Sequence, residues 1–453
     1  MTEHMDQDTS KPDIGQRQYD RAQEIIPGAT GLFGFRQEMS VPGQWPAYFK
    51  EAKGCEIVDL DGRRFIDLGA FGMGATVLGY ADPDVTEAVI RRVRAGSMCN
   101  TNPPDEVELA ELLLEIHPWA ERVRFGRLGG ETMAIAMRIA RAGTGRDKVA
   151  FCGYHGWHDW YLAANLPTDG ENPVDRLGDW HLAPGAGPSG VPRALAGSAL
   201  PFAYNHLDQL ESIVRDHGSE LAAIVLEPTR NLAPEPGFLE GVRELANRCG
   251  ARLVFDEITI GWKLCLGGAH LKYGAEPDMA VFAKSLGNGH PMAAIVGRAE
   301  TMDAFHKSFI SSAYWSEAVG PAAALAAVKK MKRIDVPSHL ARMGQRYRDG
   351  LTSLAEKHNV PLTFTGHPGV FFNVFDHPKA AALQTLWSAR MLPKGFLVQG
   401  GCYPGYAHQE EHIDACLEAS ESVFAELAEA IGKDDVESRI GGPIKQAGLR
   451  RLA

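Results

Sequence analysis

The sequence predicts an α/β protein, because short apolar runs alternate with helical patterns along most of the chain. Two of these runs lead directly into polar residues. The run 253–255 ends at Asp256 and Glu257, and the run 279–282 leads to Lys284 and a glycine-rich turn. Short apolar runs of this kind are typical of buried strands in an α/β sheet, and such sheets bind ligands where their strands end. We therefore expect Asp256 and Lys284 to reach one cleft from two strand ends.

Composition excludes several classes of protein. The chain has 453 residues, of which 45% are hydrophobic and 23% are charged, as in ordinary globular proteins with more than one domain. A net charge of −11 disfavours nucleic acid or an anionic membrane as the main partner. Seven scattered cysteines without a CxxC pair favour reduced thiols over a disulfide framework or a zinc site. No transmembrane run or signal-peptide pattern is found, so we expect a cytoplasmic protein.

The N-terminal part predicts a helix at 16–26 and short strands at 47–50, 55–59 and 64–67. Asp61 and Gly62 separate the last two strands and are typical of a hairpin turn. Helices follow at 84–95 and 104–116. A strand at 123–125 then leads to Gly129, Gly130 and an apolar-periodic helix that extends to 146. A glycine pair between a strand and a helix N-terminus can bind phosphate through its backbone N–H groups, although an ordinary strand–helix turn has the same pattern.

The remaining elements continue the α/β pattern. A strand at 148–152 ends near Tyr154, a strand at 222–226 ends at Glu227, and another strand is predicted at 293–296. His155 and His158 invite a metal interpretation, which we disfavour because no further ligand cluster appears. Residues 165–200 predict a long surface loop. The last part predicts helices at 237–249, 317–331, 337–358, 380–391 and 410–431 and strands at 360–365 and 369–375.

A lysine at a strand end is a candidate for Schiff-base chemistry, because partial burial favours its nucleophilic free amine. A carboxylate in the same cleft suits a protonated pyridine nitrogen. Pyridoxal phosphate requires both groups, so Lys284 and Asp256 together point to this cofactor. Taken alone, the two residues would also fit a surface lysine and an acid that caps a turn.

Two segments carry a wider resemblance. VFDEITIGW at 254–262 and GAEPDMAVFAKSLGNGHP at 274–291 resemble the class III (ornithine-type) aminotransferases of fold type I. Within that family they are most similar to the glutamate-1-semialdehyde-aminomutase-like branch, which includes sugar aminotransferases. The resemblance extends from about Tyr19 to about Ile431. It implies a homodimer and a large α/β domain (61–325) with a mixed, mostly parallel seven-stranded sheet. It also implies a small α+β domain (326–432) joined by the segment 1–60, with 433–453 as a polar tail.

The resemblance also implies roles for individual residues. Lys284 would carry pyridoxal 5′-phosphate as an aldimine and Asp256 would pair with its pyridine nitrogen. Tyr154 would stack on the cofactor ring, and Glu227 would lie near the phenolic oxygen or the substrate. Arg36 occupies the position of an arginine that binds the substrate carboxylate, as its planar guanidinium allows. A surface arginine is the alternative for Arg36.

The sequence departs from this family at the expected phosphate site. The usual cup reads approximately Asn-Ser-Gly-Thr-Glu-Ala, whereas 127–132 reads Arg-Leu-Gly-Gly-Glu-Thr, so Leu128 and Gly130 replace two hydroxyl residues. A threonine that reaches across the family's dimer interface to the phosphate is replaced by Ala313, beside Ser311 and Ser312. Each lost hydrogen bond to a charged group costs roughly 1.5–3 kcal/mol. We expect weaker cofactor retention, or other donors.

The predicted function is a pyridoxal-phosphate-dependent aminotransferase. It would move an amino group from an amino acid, with glutamate as the expected donor, to the carbonyl of a small molecule, with a sugar-like acceptor as the first choice. An aminomutase or a racemase on the same fold is the alternative within enzymes. A degenerate, non-catalytic partner subunit is the alternative of another class. The presence of both Lys284 and Asp256 argues against it, because an inactive protein needs neither residue for chemistry.

Overall fold

The computed structural model describes residues 13–167 and 189–446. The strands in these ranges are β1 Phe49–Lys53, β2 Glu56–Asp59, β3 Arg64–Asp67, β4 Arg122–Gly126, β5 Lys148–Cys152, β6 Ala199–Pro201, β7 Leu221–Leu226, β8 Arg252–Asp256, β9 Met279–Phe282, β10 Ala293–Gly297, β11 Leu362–His367, β12 Val370–Phe375, β13 Phe396–Leu397 and β14 Gly401–Cys402.

The α-helices in the same ranges cover both faces of a seven-stranded sheet and form most of the C-terminal part. They are α1 Ile14–Ile25, α2 Pro83–Ala95, α3 Asp105–Ile116, α4 Gly129–Thr144, α5 Asp159–Leu162, α6 Leu207–His217, α7 Phe238–Cys249, α8 Ala269–Tyr273, α9 Ala299–Met302, α10 Val319–Arg333, α11 Val336–His358, α12 Ala380–Met391, α13 Glu410–Lys433 and α14 Val436–Ile440.

Among the described residues, the central sheet contains seven strands in the order β4-β10-β9-β8-β7-β5-β6. Strands β6, β5, β7, β8 and β9 are parallel, whereas β10 runs antiparallel to β4 and β9. The register pairs Leu226 with Phe255 and Phe255 with Ala280. The carboxyl ends of β7, β8 and β9 therefore lie side by side. The expected mixed, mostly parallel sheet is confirmed.

Alternate residues of the buried strands pack on opposite faces of this sheet, as the two-residue period of a strand requires. Val254 packs with Ile139 of α4 on one face. Leu253 and Phe255 pack with Val242 of α7 on the other face. All five side chains are fully buried. Because both faces are covered, these strands are continuously apolar until they reach the sheet edge.

The C-terminal part has its own core. Helices α11, α12 and α13 pack with the three-stranded sheet β11-β12-β14 around Tyr347, Trp387 and Phe424. The N-terminal hairpin β2–β3, which turns at Asp61 and Gly62, is antiparallel as predicted. Strand β13 pairs in parallel with β3. This pairing links the N-terminal strands to the C-terminal part of the chain.

Several regions contain more structure than the sequence predicts, among them the 11-residue helix α6. In the expected loop 165–200, Ala199–Pro201 forms the edge strand β6 beside β5, while 168–188 lies outside the described residues. In the expected polar tail 433–453, α14 buries Val436 and Ile440 in the C-terminal core, so these residues do not belong to a free tail. Their spacing of four places both on one helix face. Residues 1–12 and 447–453 also lie outside the described residues.

None of the helices in the described ranges is both long enough and apolar enough to cross a bilayer.

Candidate active site

A cavity of about 360 Å³ lies at the carboxyl edge of the central sheet. The turns that follow β5, β8 and β9 form one side of it, and the start of α4 forms the other. These elements meet because parallel strands present their carboxyl ends at the same edge. The lining includes six residues that the following paragraphs use: Gly129, Gly130, Tyr154, Asp256, Thr259 and Lys284.

Lys284 enters the cavity two residues after β9. Its Nζ donates a hydrogen bond to Thr259 Oγ1 at 2.9 Å. Its backbone has φ 47°, in the left-handed region that residues with a side chain rarely adopt. Such a conformation costs roughly 1–3 kcal/mol and persists where the surrounding structure fixes it. The chain therefore holds Lys284 in a strained backbone conformation that aims its amine at Thr259.

The electrostatic surroundings of Lys284 favour the free amine. Burial, assisted by the positive charge of Arg230, lowers the pKa of Lys284 to about 8, although Glu227 and Asp256 act in the opposite direction. An ordinary lysine has a pKa of about 10.4. A larger fraction of Lys284 is therefore uncharged near neutral pH, and the uncharged amine is the nucleophilic form.

Asp256 ends β8 and is buried. Its Oδ1 accepts from the backbone N–H of Ile258 at 3.0 Å, and its Oδ2 lies 2.8 Å from Nδ1 of His155. The other ring nitrogen of His155 donates to the carbonyl of Cys152 at 3.1 Å. That carbonyl can only accept, so Nε2 is the donor of this bond. His155 thus fixes the carboxyl of Asp256 at its Oδ2 atom.

Glu257, the next residue, points away from the cavity. Its carboxylate accepts from the backbone N–H groups of Ala269 and His270 and from Nδ1 of His270 at 2.7 Å. His270 in turn accepts from Trp119 Nε1 at 3.0 Å. The two adjacent acids therefore have different environments. Only Asp256 is among the cavity residues.

Glu227 follows β7 and forms an ion pair with Arg230, with Nη1 3.3 Å from Oε2. Both side chains are largely buried, which strengthens their attraction relative to a surface pair. Neither residue lines the cavity directly. The positive charge of Arg230 nevertheless acts on Lys284, as its effect on the lysine pKa shows. Tyr154, at the end of the neighbouring strand, lines the cavity and packs edge-to-face on Tyr161.

The start of α4 presents backbone groups to the cavity. The first N–H groups of an α-helix have no partner within the helix and can bind an anion. Leu128, just before the helix, is 61% exposed and supplies no polar atom. The hydroxyl of Thr132 donates to the Leu128 carbonyl at 2.8 Å, so it is already engaged. In this arrangement Gly129 and Gly130 offer only their backbone to a ligand.

The absence of a side chain at Gly130 has a steric explanation. A Cβ there would lie 3.1 Å from Nδ1 of His158, and a Cβ at Gly156 would lie 3.0 Å from the Gly130 Cα. The turn 156–158 therefore packs against the start of α4 and fills the space that a hydroxyl residue would need. His158 also stacks on Trp157 at 4.4 Å, whereas His155 binds Asp256. The two histidines thus have separate partners.

Arg127 connects the start of α4 to the segment 309–317. Its guanidinium donates to the carbonyls of Trp315 and Glu317 at 2.9 and 2.8 Å and pairs with the Glu317 carboxylate at 3.1 Å. Trp315 Nε1 donates in turn to Glu131 at 3.1 Å. These bonds hold the short helix Ala313–Ser316 beside the glycine turn. Ala313 itself is exposed and supplies no side-chain donor.

Arg36 is not brought into the cavity. Its guanidinium lies over the ring of Phe33, 4.7 Å from the centroid. Among the described residues its Nε has no hydrogen-bond partner although that atom is buried. The role implied for Arg36 by the family resemblance therefore stays a prediction.

Sequence reasoning missed three residues of the site: Thr259, Arg230 and His155 as a partner of Asp256. Thr259 follows Asp256 by three positions and Arg230 follows Glu227 by three, so each lies in the turn after a predicted strand end. A position in the turn after a strand end could therefore have indicated both Thr259 and Arg230 as site residues. The contact between His155 and Asp256 joins residues 101 positions apart, and no local pattern indicates it.

The family model described as "Aminotransferase class-III" matches residues 39–424, most of the chain. The chain belongs to the class III aminotransferases.

Curated relatives of this class III aminotransferase differ in what they act on. It is 30% identical to a 3-aminobutyryl-CoA aminotransferase of Cloacimonas acidaminovorans, over 90% of this chain and 96% of that protein. It is 31% identical to a 2′-deamino-2′-hydroxyneamine transaminase of Streptomyces kanamyceticus, over 85% and 92%. It is also 31% identical to a glutamate-1-semialdehyde 2,1-aminomutase of Anaeromyxobacter dehalogenans, over 92% and 99%.

The enzyme therefore uses pyridoxal 5′-phosphate, and its fold is that of the fold type I transferases. The residues present fit this cofactor. A lysine amine with a lowered pKa and a buried acid line one cavity, and the glycines at the start of α4 line it as well, with their backbone N–H groups as possible donors to a phosphate. An amino donor and a carbonyl acceptor are its two substrates.

Proposed function

We propose that Lys284 carries the cofactor and acts as the general base, and that Asp256 holds a proton at the pyridine nitrogen. The observation that carries this proposal is the meeting of the two side chains in one cavity at the sheet edge, beside the start of α4. The lowered pKa of the lysine and the burial of the acid suit these two roles.

Pyridoxal phosphate, when bound, supplies an electron sink for the negative charge that develops at the substrate carbon. Lys284 moves a proton to and from that carbon, which a free amine of suitable pKa can do. Thr259 orients the amine through its hydroxyl. His155 fixes the carboxyl of Asp256 from behind and limits its rotation. Such preorganisation supports charge stabilisation because no reorganisation is required during the reaction.

We propose that the phosphate binds at the start of α4 through the backbone N–H groups of Gly129 and Gly130 and the helix dipole. Tyr154, which lines the cavity, is proposed to stack on the cofactor ring, a contact worth roughly 1 kcal/mol. Glu227, held by its ion pair with Arg230, is proposed to lie near the phenolic oxygen of the cofactor or the substrate. Arg36 is proposed to bind a substrate carboxylate through its planar guanidinium.

Glutamate is the proposed donor, and a sugar-like aldehyde or ketone is the proposed acceptor. The similarity to the neamine transaminase supports the acceptor. The enzyme, loaded with the amine form of the cofactor, would be incubated with matched sets of keto sugars, simple aldehydes and acyl-CoA carbonyls. The rate at which the cofactor returns to its aldehyde form would rank these classes of acceptor. A preference for simple aldehydes over keto sugars would reject the sugar-like acceptor.

A homodimer is proposed from the surface around the site. Leu128 and Trp157 line the cavity and are 61% and 70% exposed, and Phe309 and Tyr314 on the segment beside α4 are 85% and 72% exposed. Apolar side chains that cluster at this level of exposure mark an interaction surface. A second copy would cover them and could add donors to the phosphate site. The seven free thiols support a reducing, cytoplasmic location.

An aminomutase is the second candidate, favoured by the similarity to the glutamate-1-semialdehyde 2,1-aminomutase. A mutase returns the amino group to the same carbon skeleton, whereas an aminotransferase releases a keto acid from the donor. Detection of stoichiometric 2-oxoglutarate from glutamate would therefore distinguish the two.

The direct test is reduction of the cofactor-loaded protein with borohydride, followed by peptide mapping. We expect the cofactor on Lys284 and a loss of turnover of at least about 10³-fold in Lys284→Ala. Lys272→Ala, at an exposed lysine, serves as the control and should keep both adduct and turnover. A folded wild-type protein that yields no adduct at Lys284 would reject the proposal and favour a non-catalytic subunit.

A further inference from the structure

Lys263 is a second buried lysine beside the site, and none of the roles described above uses it. Its side chain is 1% exposed, and it is among the largest fully buried side chains of the described residues. It lies four residues after Thr259, in the turn that follows β8. A lysine is rarely buried to this degree without a specific function or partner.

The amine of Lys263 joins three segments of the site. It donates to the carbonyl of Thr259 at 2.6 Å and to the hydroxyl of Ser285 at 2.8 Å. That hydroxyl donates onward to the carbonyl of Gly74 at 3.1 Å. The turn after β8, the residue after Lys284 and the 71–74 turn are therefore connected through one nitrogen.

The surroundings indicate that this amine is uncharged. In the described part of the chain, no carboxylate forms an ion pair with Lys263. Burial, together with the positive charges of Lys284 and Arg230, lowers the pKa of Lys263 well below the ordinary lysine value. A neutral amine has two N–H donors, and the two acceptors found here, Thr259 and Ser285, match that number.

Both acceptors of Lys263 are neighbours of Lys284. Thr259 receives the hydrogen bond of the Lys284 amine through its own hydroxyl, and Ser285 follows Lys284 in the chain. The strained left-handed backbone of Lys284 needs support from its surroundings. Lys263 therefore contacts both the residue that accepts from the Lys284 amine and the residue that follows Lys284 in the chain.

We propose that Lys263 is a positioning residue: by tying Thr259 to Ser285, its buried amine holds Lys284 in its strained conformation with Nζ directed at the Thr259 hydroxyl. This inference rests on the role proposed for Lys284. Loss of the tie would loosen the turn and admit water to the lysine amine. The amine would then behave more like an ordinary exposed lysine.

The test uses the cofactor-free full-length protein and therefore does not depend on turnover. Acetic anhydride labels the protein over a pH series, and mass spectrometry quantifies acetylation at Lys284, with exposed Lys272 as the internal reference. In wild type we expect the pH midpoint of Lys284 acetylation to lie near the pKa of this lysine, about 8. Burial and Arg230 lower this pKa, whereas Glu227 and Asp256 raise it. Lys263→Met should raise this midpoint by about one pH unit or more, toward about 10.4.

Two further variants keep the test decisive. Lys330→Met removes another largely buried lysine, paired with Asp82 away from the site, and should leave the Lys284 midpoint unchanged. Ser285→Ala removes one acceptor of Lys263 and should raise the midpoint in the same direction even if Lys263→Met folds poorly. An unchanged midpoint in folded Ser285→Ala and Lys263→Met would overturn the inference. Failure of the Lys284 proposal itself would appear separately, as a wild-type protein without a borohydride adduct.

Discussion

The strand-end side of the cavity and its helix side are built from different groups. At the strand ends, Lys284, Asp256 and Glu227 each have a side-chain partner, respectively Thr259, His155 and Arg230. At the start of α4, Leu128 and Gly130 supply no side-chain hydroxyl. Here the backbone N–H groups and the helix dipole remain.

The strand-end side therefore serves the chemistry, and the helix side serves the retention of the cofactor. Side-chain networks determine the charge and direction of the groups that handle protons, so a single substitution there should abolish function. Backbone donors do not depend on side-chain identity, so the exposed position Leu128 should tolerate substitution and even improve cofactor binding with an added hydroxyl. The neighbouring 309–317 segment is held in place by Arg127, which indicates that the helix side is ordered despite its missing hydroxyls.

The largest expected effect is at the strand ends. Asp256→Asn keeps the size of the side chain and removes its charge, so the proton at the pyridine nitrogen loses its partner. We expect kcat to fall by about 10²–10³-fold, as for other preorganised charge-stabilising groups. Single-turnover kinetics of the glutamate half-reaction would measure this loss.

The adjacent acid provides the matched control for that variant. Glu257→Gln changes a fully buried carboxylate that faces His270 and lies outside the cavity lining. We expect a loss of about 1–3 kcal/mol in the free energy of unfolding with kcat nearly unchanged. Equal losses of kcat in the two variants would mean that the two acids are not divided between chemistry and structure.

A smaller effect is expected on the helix side. Leu128→Ser adds a hydroxyl at the expected phosphate site and should tighten cofactor binding by roughly 1.5–3 kcal/mol, or about 10- to 150-fold in Kd. Leu128→Ala removes the same apolar side chain without adding a donor and should leave Kd within a few-fold of wild type. Fluorescence titration of the cofactor-free protein would compare them. Equal affinities would show that the phosphate does not bind at this turn.

Much of this arrangement could be predicted from the sequence. The apolar runs before Asp256 and Lys284 predict buried strands, and the parallel register places their ends side by side. Most of the long helices were predicted to within a few residues because their apolar periods are regular, whereas the helix α6 was not predicted. The α14 turn and the edge strand β6 were missed because each is too short to show a period.

The side-chain partners of the site could not be predicted in the same way. The bond of His155 with Asp256 and the bonds of Arg127 with the 315–317 segment join residues 101 to 190 positions apart. Only the packed fold brings them together. The different roles of Asp256 and Glu257 depend on the direction of each side chain at the end of β8: Asp256 points into the cavity and Glu257 points toward His270. The burial of Lys263 is hidden for another reason, since a lysine in a turn ordinarily indicates a surface position.

The central claim is that the strand-end side is intact and functional although the helix side lacks its hydroxyls. The most direct measurement is the absorbance spectrum of the purified protein with saturating pyridoxal phosphate, before and after addition of glutamate. The account predicts a visible cofactor band that requires Lys284 and that glutamate converts to the spectrum of the aminated cofactor, with release of 2-oxoglutarate. A folded protein that shows no such band at saturating cofactor would contradict it.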